Sequence, residues 1–289
     1  MKINFLYKFF LVIGIVVLLP VVYLNISKMV SDDTILTVQE GSLSSNNFLA
    51  VPKGTIEIYD EKIAKIDNLN DLKKFVDYEI KENNFEGIDI PIYIDDIVRR
   101  KYFHQTAYIS ADTNWILKGA DYFFPERYFL SAMDPKDLIK KNHGICNQTS
   151  IMFQELIKDY KFEYASIGFD IKIPNEGNFG HFVSAVKIGR DWFYFDSNME
   201  PVYDRKNSLI FKKVLEGDKG ILKKLYPQYN FDLLTQEMID FRDLNRFPAK
   251  RGVMFQKITQ FMSNSSWFLF LIFSLLLRSL SLKLHFQDK

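Results

Sequence analysis

Hydrophobic and polar positions divide the chain into two apolar ends around a mixed interior. Phe9 to Ile26 is an almost unbroken apolar run, FFLVIGIVVLLPVVYLNI, with Lys2 and Lys8 before it. About 17–25 such residues cross a bilayer as a helix, and a proline within the span is tolerated. The NISKMVSDD that closes and follows the run offers no small-x-small cleavage site. The pattern therefore predicts an uncleaved transmembrane anchor over 9–26 behind a cytoplasmic N-terminus of 1–8. A second run, WFLFLIFSLLL, spans Trp267 to Leu277 and ends at Arg278. Alone it is short for a span. Extended over 261–284 it is a candidate second membrane helix, with an interfacial or buried helix as the alternative. The basic residues outside both runs place the two ends in the cytoplasm and residues 30–260 outside it.

The interior changes period twice. Residues 27–60 are rich in Ser, Asn and Asp and read as a juxtamembrane linker, with one short strand at Thr34 to Gln39. Leu72, Phe75, Val76 and Ile80 recur at helical spacing and predict a helix over 69–84. Two more helices are expected over 94–103, with His104 placed late in it, and 112–123. Asp134-Pro135 marks another start, with an acidic N-cap and proline at the first helical position. A further helix begins near Cys146, with Ile151, Phe153, Leu156 and Ile157 on its apolar side, and reaches about Lys158. Strands then follow at Phe162 to Phe169, at His181 to Ile188 after a Gly-rich loop (PNEGNFG), and at Trp192 to Phe195. Beyond Pro201, LIFKKVLE and FDLLTQEMIDF read as helices. Helices first, then a helix feeding antiparallel strands, give an α+β class for residues 61–250.

Composition narrows the chemistry. Apolar residues at 47% and charged residues at 25% fit a folded chain. A net charge of +1, without a basic stripe, argues against a nucleic-acid partner. The single cysteine excludes an intramolecular disulfide and paired-cysteine zinc sites. No phosphate-binding glycine loop, zinc-ligand spacing or EF-hand loop appears, so neither a cofactor nor a metal is expected. His143 sits in the turn before Cys146 and reads as a surface or loop residue.

The remaining chemistry concentrates on three residues. Cys146 follows Gly144 at the start of a predicted helix, where unsatisfied N–H groups and the helix dipole favour negative charge on sulfur. The thiolate is the nucleophilic form. His181 opens a predicted strand, where an imidazole can exchange a proton with that sulfur. Asp196 ends the strand WFYFD. A two-residue type II′ loop at Gly189-Arg190 would set Ile188 against Asp191 and Val183 against Asp196. His181 then lies two residues along the same face, a diagonal neighbour of Asp196 about 7–8 Å away between Cα atoms. The carboxylate would orient the ring and favour its charged form.

The segments HGICNQTSIMFQELI and GHFVSAVKIGRDWFYFD, in that order, resemble the transglutaminase-like superfamily of the papain-like fold. The likeness covers about residues 69–200, with its motif core at 134–200. It matches Cys146 to the family's nucleophile, His181 to its base, Asp196 to its orienting acid and Ser150 to a small residue four positions after the cysteine. Ser197 stands where many members have proline, and Asn147 and Gln148 are bulkier than usual, placed to crowd the helix start or to bind substrate. The resemblance implies a thiol-dependent enzyme acting on a protein or peptide amide through a thioester: a peptidase, amidase or transglutaminase. The oxyanion would be met by the Cys146 N–H and one further donor. Trp115 is a candidate for it, the alternative being a core or wall position. The rival reading is a catalytically inactive, membrane-tethered scaffold, or an accessory protein with a membrane-complex partner.

Overall fold

A computed structural model of the protein describes residues 5–16, 58–109, 114–123, 130–173, 177–198, 201, 203–227 and 229–287. Most of the predicted anchor and linker, including Thr34 to Gln39, lies outside the described residues. The architecture is α+β, with two small sheets and a long apolar C-terminal helix. The described residues divide into two compact units, one of 5–16, 108–109, 114–123, 130–131 and 251–287, the other of those within 58–107 and 132–250.

The larger unit begins with three helices, α2 (Glu61–Ala64), α3 (Leu69–Glu82) and α4 (Asp89–Lys101). Asn68 caps α3 through its side chain, and Leu72, Val76 and Ile80 form its buried stripe, as their spacing predicts. Strand β1 (Phe103–His104) pairs in parallel with β2 (His143–Gly144). His104 thus stands in a strand, since α4 ends at Lys101. Asp134 caps the short α6 (Pro135–Leu138) by accepting from the Lys136 N–H. Helix α7 (Cys146–Ile157) follows β2 after one residue.

The main sheet has the order β5-β4-β3-β6, with β3 at Glu163–Ile173, β4 at Gly177–Ile188, β5 at Asp191–Phe195 and β6 at Ile239–Arg242. Both hairpin strands outrun the sequence expectation: the ladder continues through Lys172↔Asn178 and Ile173↔Gly177. The polar, glycine-bearing stretch after Phe169 is held by cross-strand pairing, which overrides its loop-like composition. His181 therefore sits within β4 rather than at its start. The turn into β5 uses Gly189 at φ 64, and Arg190 stays at negative φ, as a type II′ turn requires. The register is the one counted from that turn: Ile188 faces Asp191 and Ser184 faces Phe195.

Alternation gives the sheet two different faces. Ile167, Phe169, Val183, Ala185 and Tyr194 pack against α8 (Ser208–Leu215) and α9 (Lys219–Leu225) with Phe231 and Leu234. On the opposite face α7 lies against the strands: Phe153 stacks on Phe195, and the Gln154 amide donates to the Ser166 and Ser184 hydroxyls. The segment FDLLTQEMIDF, expected as a helix, is not one. Phe231 and Leu234 are buried in the core, while Ile239 to Phe241 pair with Phe169 to Ile167 as the first residues of β6. An open edge on β3 offered those residues a ladder, and tertiary pairing outweighed the helical spacing of the apolar positions.

The other unit contains α1 (Phe5–Val16), α5 (Trp115–Phe123) and α10 (Lys250–Gln287). Helix α10 has 38 residues, of which Lys250–Leu280 is long and apolar enough to cross a membrane. It begins well before the run at Trp267, because Gln256, Thr259 and Ser263 are buried on one side and find partners. Asn114 donates to the Gln256 carbonyl and the Thr259 hydroxyl and accepts from Ser263. Helix α1 packs on α10 in the antiparallel sense: the Ser274 hydroxyl donates to the Tyr7 carbonyl at 2.9 Å, Phe10 meets Phe270 and Phe273, and Gly14 lies against Trp267 and Leu271. A Cβ on Gly14 would come within 3.0 Å of Leu271, so the missing side chain sets the closeness of the helices.

Candidate active site

Cys146 is the first residue of α7, and its N–H and the next ones have no carbonyl one turn earlier in the helix. The start of α7 is fixed by Gln148. Its side-chain oxygen accepts from the N–H groups of Ile145 (3.2 Å) and Ala107 (2.9 Å). Its amide donates to the carbonyls of Ala107 (2.7 Å) and Ala132 (2.9 Å). Gln148 is thus a buried clamp joining two loops to the helix start, and this corrects the expectation that it crowds that start or binds substrate. One turn on from Cys146, Ser150 donates to the Phe182 carbonyl at 3.1 Å and ties α7 to β4 beside His181.

His181 and Asp196 meet as the strand register requires. His181 Nε2 lies 2.7 Å from Asp196 Oδ2, and both residues are buried, at 4% and 1% exposure. Nδ1 is the ring nitrogen that Asp196 does not engage, and the Cys146 side chain stands near enough to the ring to raise its pKa. Strand β5 stops at Phe195, so the edge of β4 carries no strand at the level of His181. Cys146 itself is half-buried, while the groups behind it are enclosed.

The enclosure is aromatic. Phe169 and Tyr226 present their rings edge-to-face to the imidazole, with centroids 5.2 and 5.0 Å away. Asp196 is held on every side: Oδ2 also accepts from the Tyr226 hydroxyl at 2.7 Å, and Oδ1 accepts from the Asn198 N–H at 3.0 Å. The Asp196 carbonyl accepts from Arg99 at 2.8 Å, and the next residue, Ser197, donates to Asp95 at 2.6 Å. Asp95 is in turn paired with Arg99 and Arg205. The Asn198 amide donates to the Gly144 carbonyl at 3.1 Å and so links the segment after Asp196 to the one before Cys146.

The electrostatics follow from burial and pairing. Burial alone would push the His181 imidazole down, but the Asp196 carboxylate and the Cys146 sulfur outweigh it and raise the ring well above its ordinary value. Burial would push the Asp196 carboxyl up, but His181, Tyr226 and the Asn198 N–H together hold it below the usual carboxylate range. The pair is an imidazolium–carboxylate ion pair at neutral pH. His143 behaves in the opposite way: burial, then Lys141, push it down to about 4. Its ring packs by Phe103 and its Nδ1 meets Asn142 Oδ1, so it is a half-buried, neutral residue rather than a surface one.

Trp115 is not free for an oxyanion role, since its indole N–H donates to the Ser263 carbonyl at 3.1 Å. No group of three or more metal-ligating side chains occurs among the described residues. The sequence did not single out Tyr226, Asn198, the Asp95–Arg99–Arg205 cluster or Tyr203, whose hydroxyl accepts from the Asp196 N–H at 3.4 Å and donates to the Tyr194 carbonyl at 3.0 Å. The acid–base pair Asp95/Arg99, four apart on one helix, was a visible signal; nothing local marks Tyr226.

The chain was compared with family models, with curated proteins and with solved structures. Nothing matched. The functional reading therefore stands on the site itself.

Proposed function

We propose that the protein is a thiol-dependent acyl-transfer enzyme of the transglutaminase-like kind, acting on protein or peptide amides at a membrane surface. One observation carries the reading: a half-buried cysteine at a helix start, an imidazole near it, and a buried carboxylate hydrogen-bonded to the far side of the ring. Three chemically complementary groups in that order make a nucleophile, an acid–base and an orienting acid.

The Cys146 thiolate attacks the carbonyl carbon of the amide, and its oxygen takes the negative charge. The Cys146 N–H at the start of α7 is the donor nearest in the chain to receive that charge. As the C–N bond breaks, the His181 imidazolium gives its proton to the leaving amine, and a thioester remains. Water or a second amine then attacks the thioester, with His181 taking the proton of the attacking group. The C–S bond breaks, and the sulfur returns to its starting state. Water makes the reaction hydrolysis or deamidation, and an amine makes it cross-linking.

Membrane attachment belongs to the same proposal. The antiparallel pair α1 and α10, with basic residues beyond both apolar runs, supports a two-span arrangement with both ends cytoplasmic and the catalytic unit outside.

The test compares the full chain with Cys146→Ala and His181→Ala. Iodoacetamide labelling at pH 7 is expected to vanish in the first and to slow at least tenfold in the second. Equal labelling of His181→Ala and the parent protein would refute the pairing. It would leave the fold a scaffolding role.

A further inference from the structure

We infer that Tyr226 is a positioning residue of the same site, its hydroxyl holding the Asp196 carboxylate and its ring holding the His181 imidazole so that Nδ1 stays turned to Cys146. The inference rests on the Cys146–His181–Asp196 reading. It explains a pattern that a plain core tyrosine does not require. The Tyr226 hydroxyl and His181 Nε2 converge on one oxygen, Asp196 Oδ2, each at 2.7 Å. The ring that carries the hydroxyl also stands edge-to-face against the imidazole at 5.0 Å, beside Phe169, whose centroid lies 5.9 Å from it. One side chain therefore restrains both the carboxylate and the ring it orients.

The hydroxyl stays protonated, because burial and the nearby Asp196 charge raise it well above its ordinary value. A carboxylate only accepts, so the Tyr226 proton is committed to Asp196. The Tyr194 hydroxyl, in contact with that of Tyr226, must then donate to the Tyr226 oxygen. The result is a directed chain, Tyr194 to Tyr226 to Asp196, whose donors accumulate on the carboxylate. A second donor on Oδ2 keeps Asp196 ionised to lower pH, and so keeps the imidazolium anchored. Among the described residues, the groups facing Asp196 include His181 from β4, Tyr194 from β5, Tyr203 from the segment after β5, Tyr226 after α9 and Arg99 of α4 on its carbonyl. Cys146 reaches it through His181. Among these only Tyr226 touches both the carboxylate and the ring.

The test uses the full chain in detergent and follows the rate of Cys146 alkylation by iodoacetamide from pH 3 to pH 9. Tyr226→Phe keeps the ring and removes the hydroxyl. Its acidic limb is expected to move up by about one pH unit, the size of a lost charge-assisted hydrogen bond. A merely structural tyrosine would lower stability and leave the limb in place. That result overturns the assignment. If Tyr226→Phe does not fold, Tyr194→Phe decides, with a smaller upward shift expected and an unchanged limb overturning the inference. His181→Ala separates the two readings. If its profile coincides with the parent's, the triad reading falls and the Tyr226 assignment with it. If the parent differs from His181→Ala but coincides with Tyr226→Phe, the Tyr226 assignment alone falls.

Discussion

Asp196 accepts from His181, Tyr226 and the Asn198 N–H while buried at 1% exposure. Its charge is what keeps the enclosed imidazole protonated. Asp196→Asn preserves the shape and removes the charge, so the proposed acyl transfer predicts that amide turnover falls by on the order of 10³–10⁴, read from initial rates. The same pair makes stability depend on pH with a definite sign. The folded ring binds its proton more tightly than the unfolded ring, whose pKa is about 6.5. The stabilisation is therefore fully present below about 6.5 and is lost as pH rises towards the folded value of about 10. Denaturant unfolding of the parent protein should weaken steadily from pH 7 to pH 10, and the slope should flatten in Asp196→Asn. Equal slopes would mean that the ion pair does not form in solution.

At the scale of elements, the start of α7 depends on one side chain. Gln148 satisfies backbone groups of Ala107, Ala132 and Ile145. Gln148→Ala would leave several of them buried without partners, at about 1–3 kcal/mol for each group that water cannot reach. We expect a loss of about 3 kcal/mol or more in urea unfolding, far above what an exposed helix position such as Lys74 would give on substitution. The elements differ in how much of this was readable beforehand. The Gly189-Arg190 turn was legible because a two-residue loop fixes register, and register alone brought His181 and Asp196 onto one face. Cys146 at a helix start was legible from the apolar spacing behind it. The strand at Ile239–Arg242 was not, because its partner, β3, lies more than sixty residues earlier and the local spacing imitates a helix. Tyr226 was hidden for a related reason: its partners are 30 and 45 residues away, and no local pattern encodes a contact made by the packing of α9 on the sheet.

For the whole molecule, the apolar ends act together. The contacts Tyr7–Ser274, Phe10–Phe273 and Gly14–Leu271 run in opposite chain directions, so α1 and α10 form a hairpin whose two outer ends point the same way. Epitope tags placed at the N- and C-termini should therefore be cleaved or protected together when intact cells or sealed vesicles are treated with protease. One tag cleaved and the other protected would exclude the two-span arrangement. Gly14→Leu would force side chain into the 3.0 Å approach to Leu271 and should lower the thermal midpoint in detergent.

Cys146 is the chain's sole cysteine, and the residue is half-buried. Oxidation there would meet no second cysteine to form an internal bridge. A sulfenic acid at this position would have to be rescued by a thiol from outside the protein or pass on to the irreversible sulfinic state. The proposed nucleophile thus leaves its redox repair in the hands of the protein's surroundings.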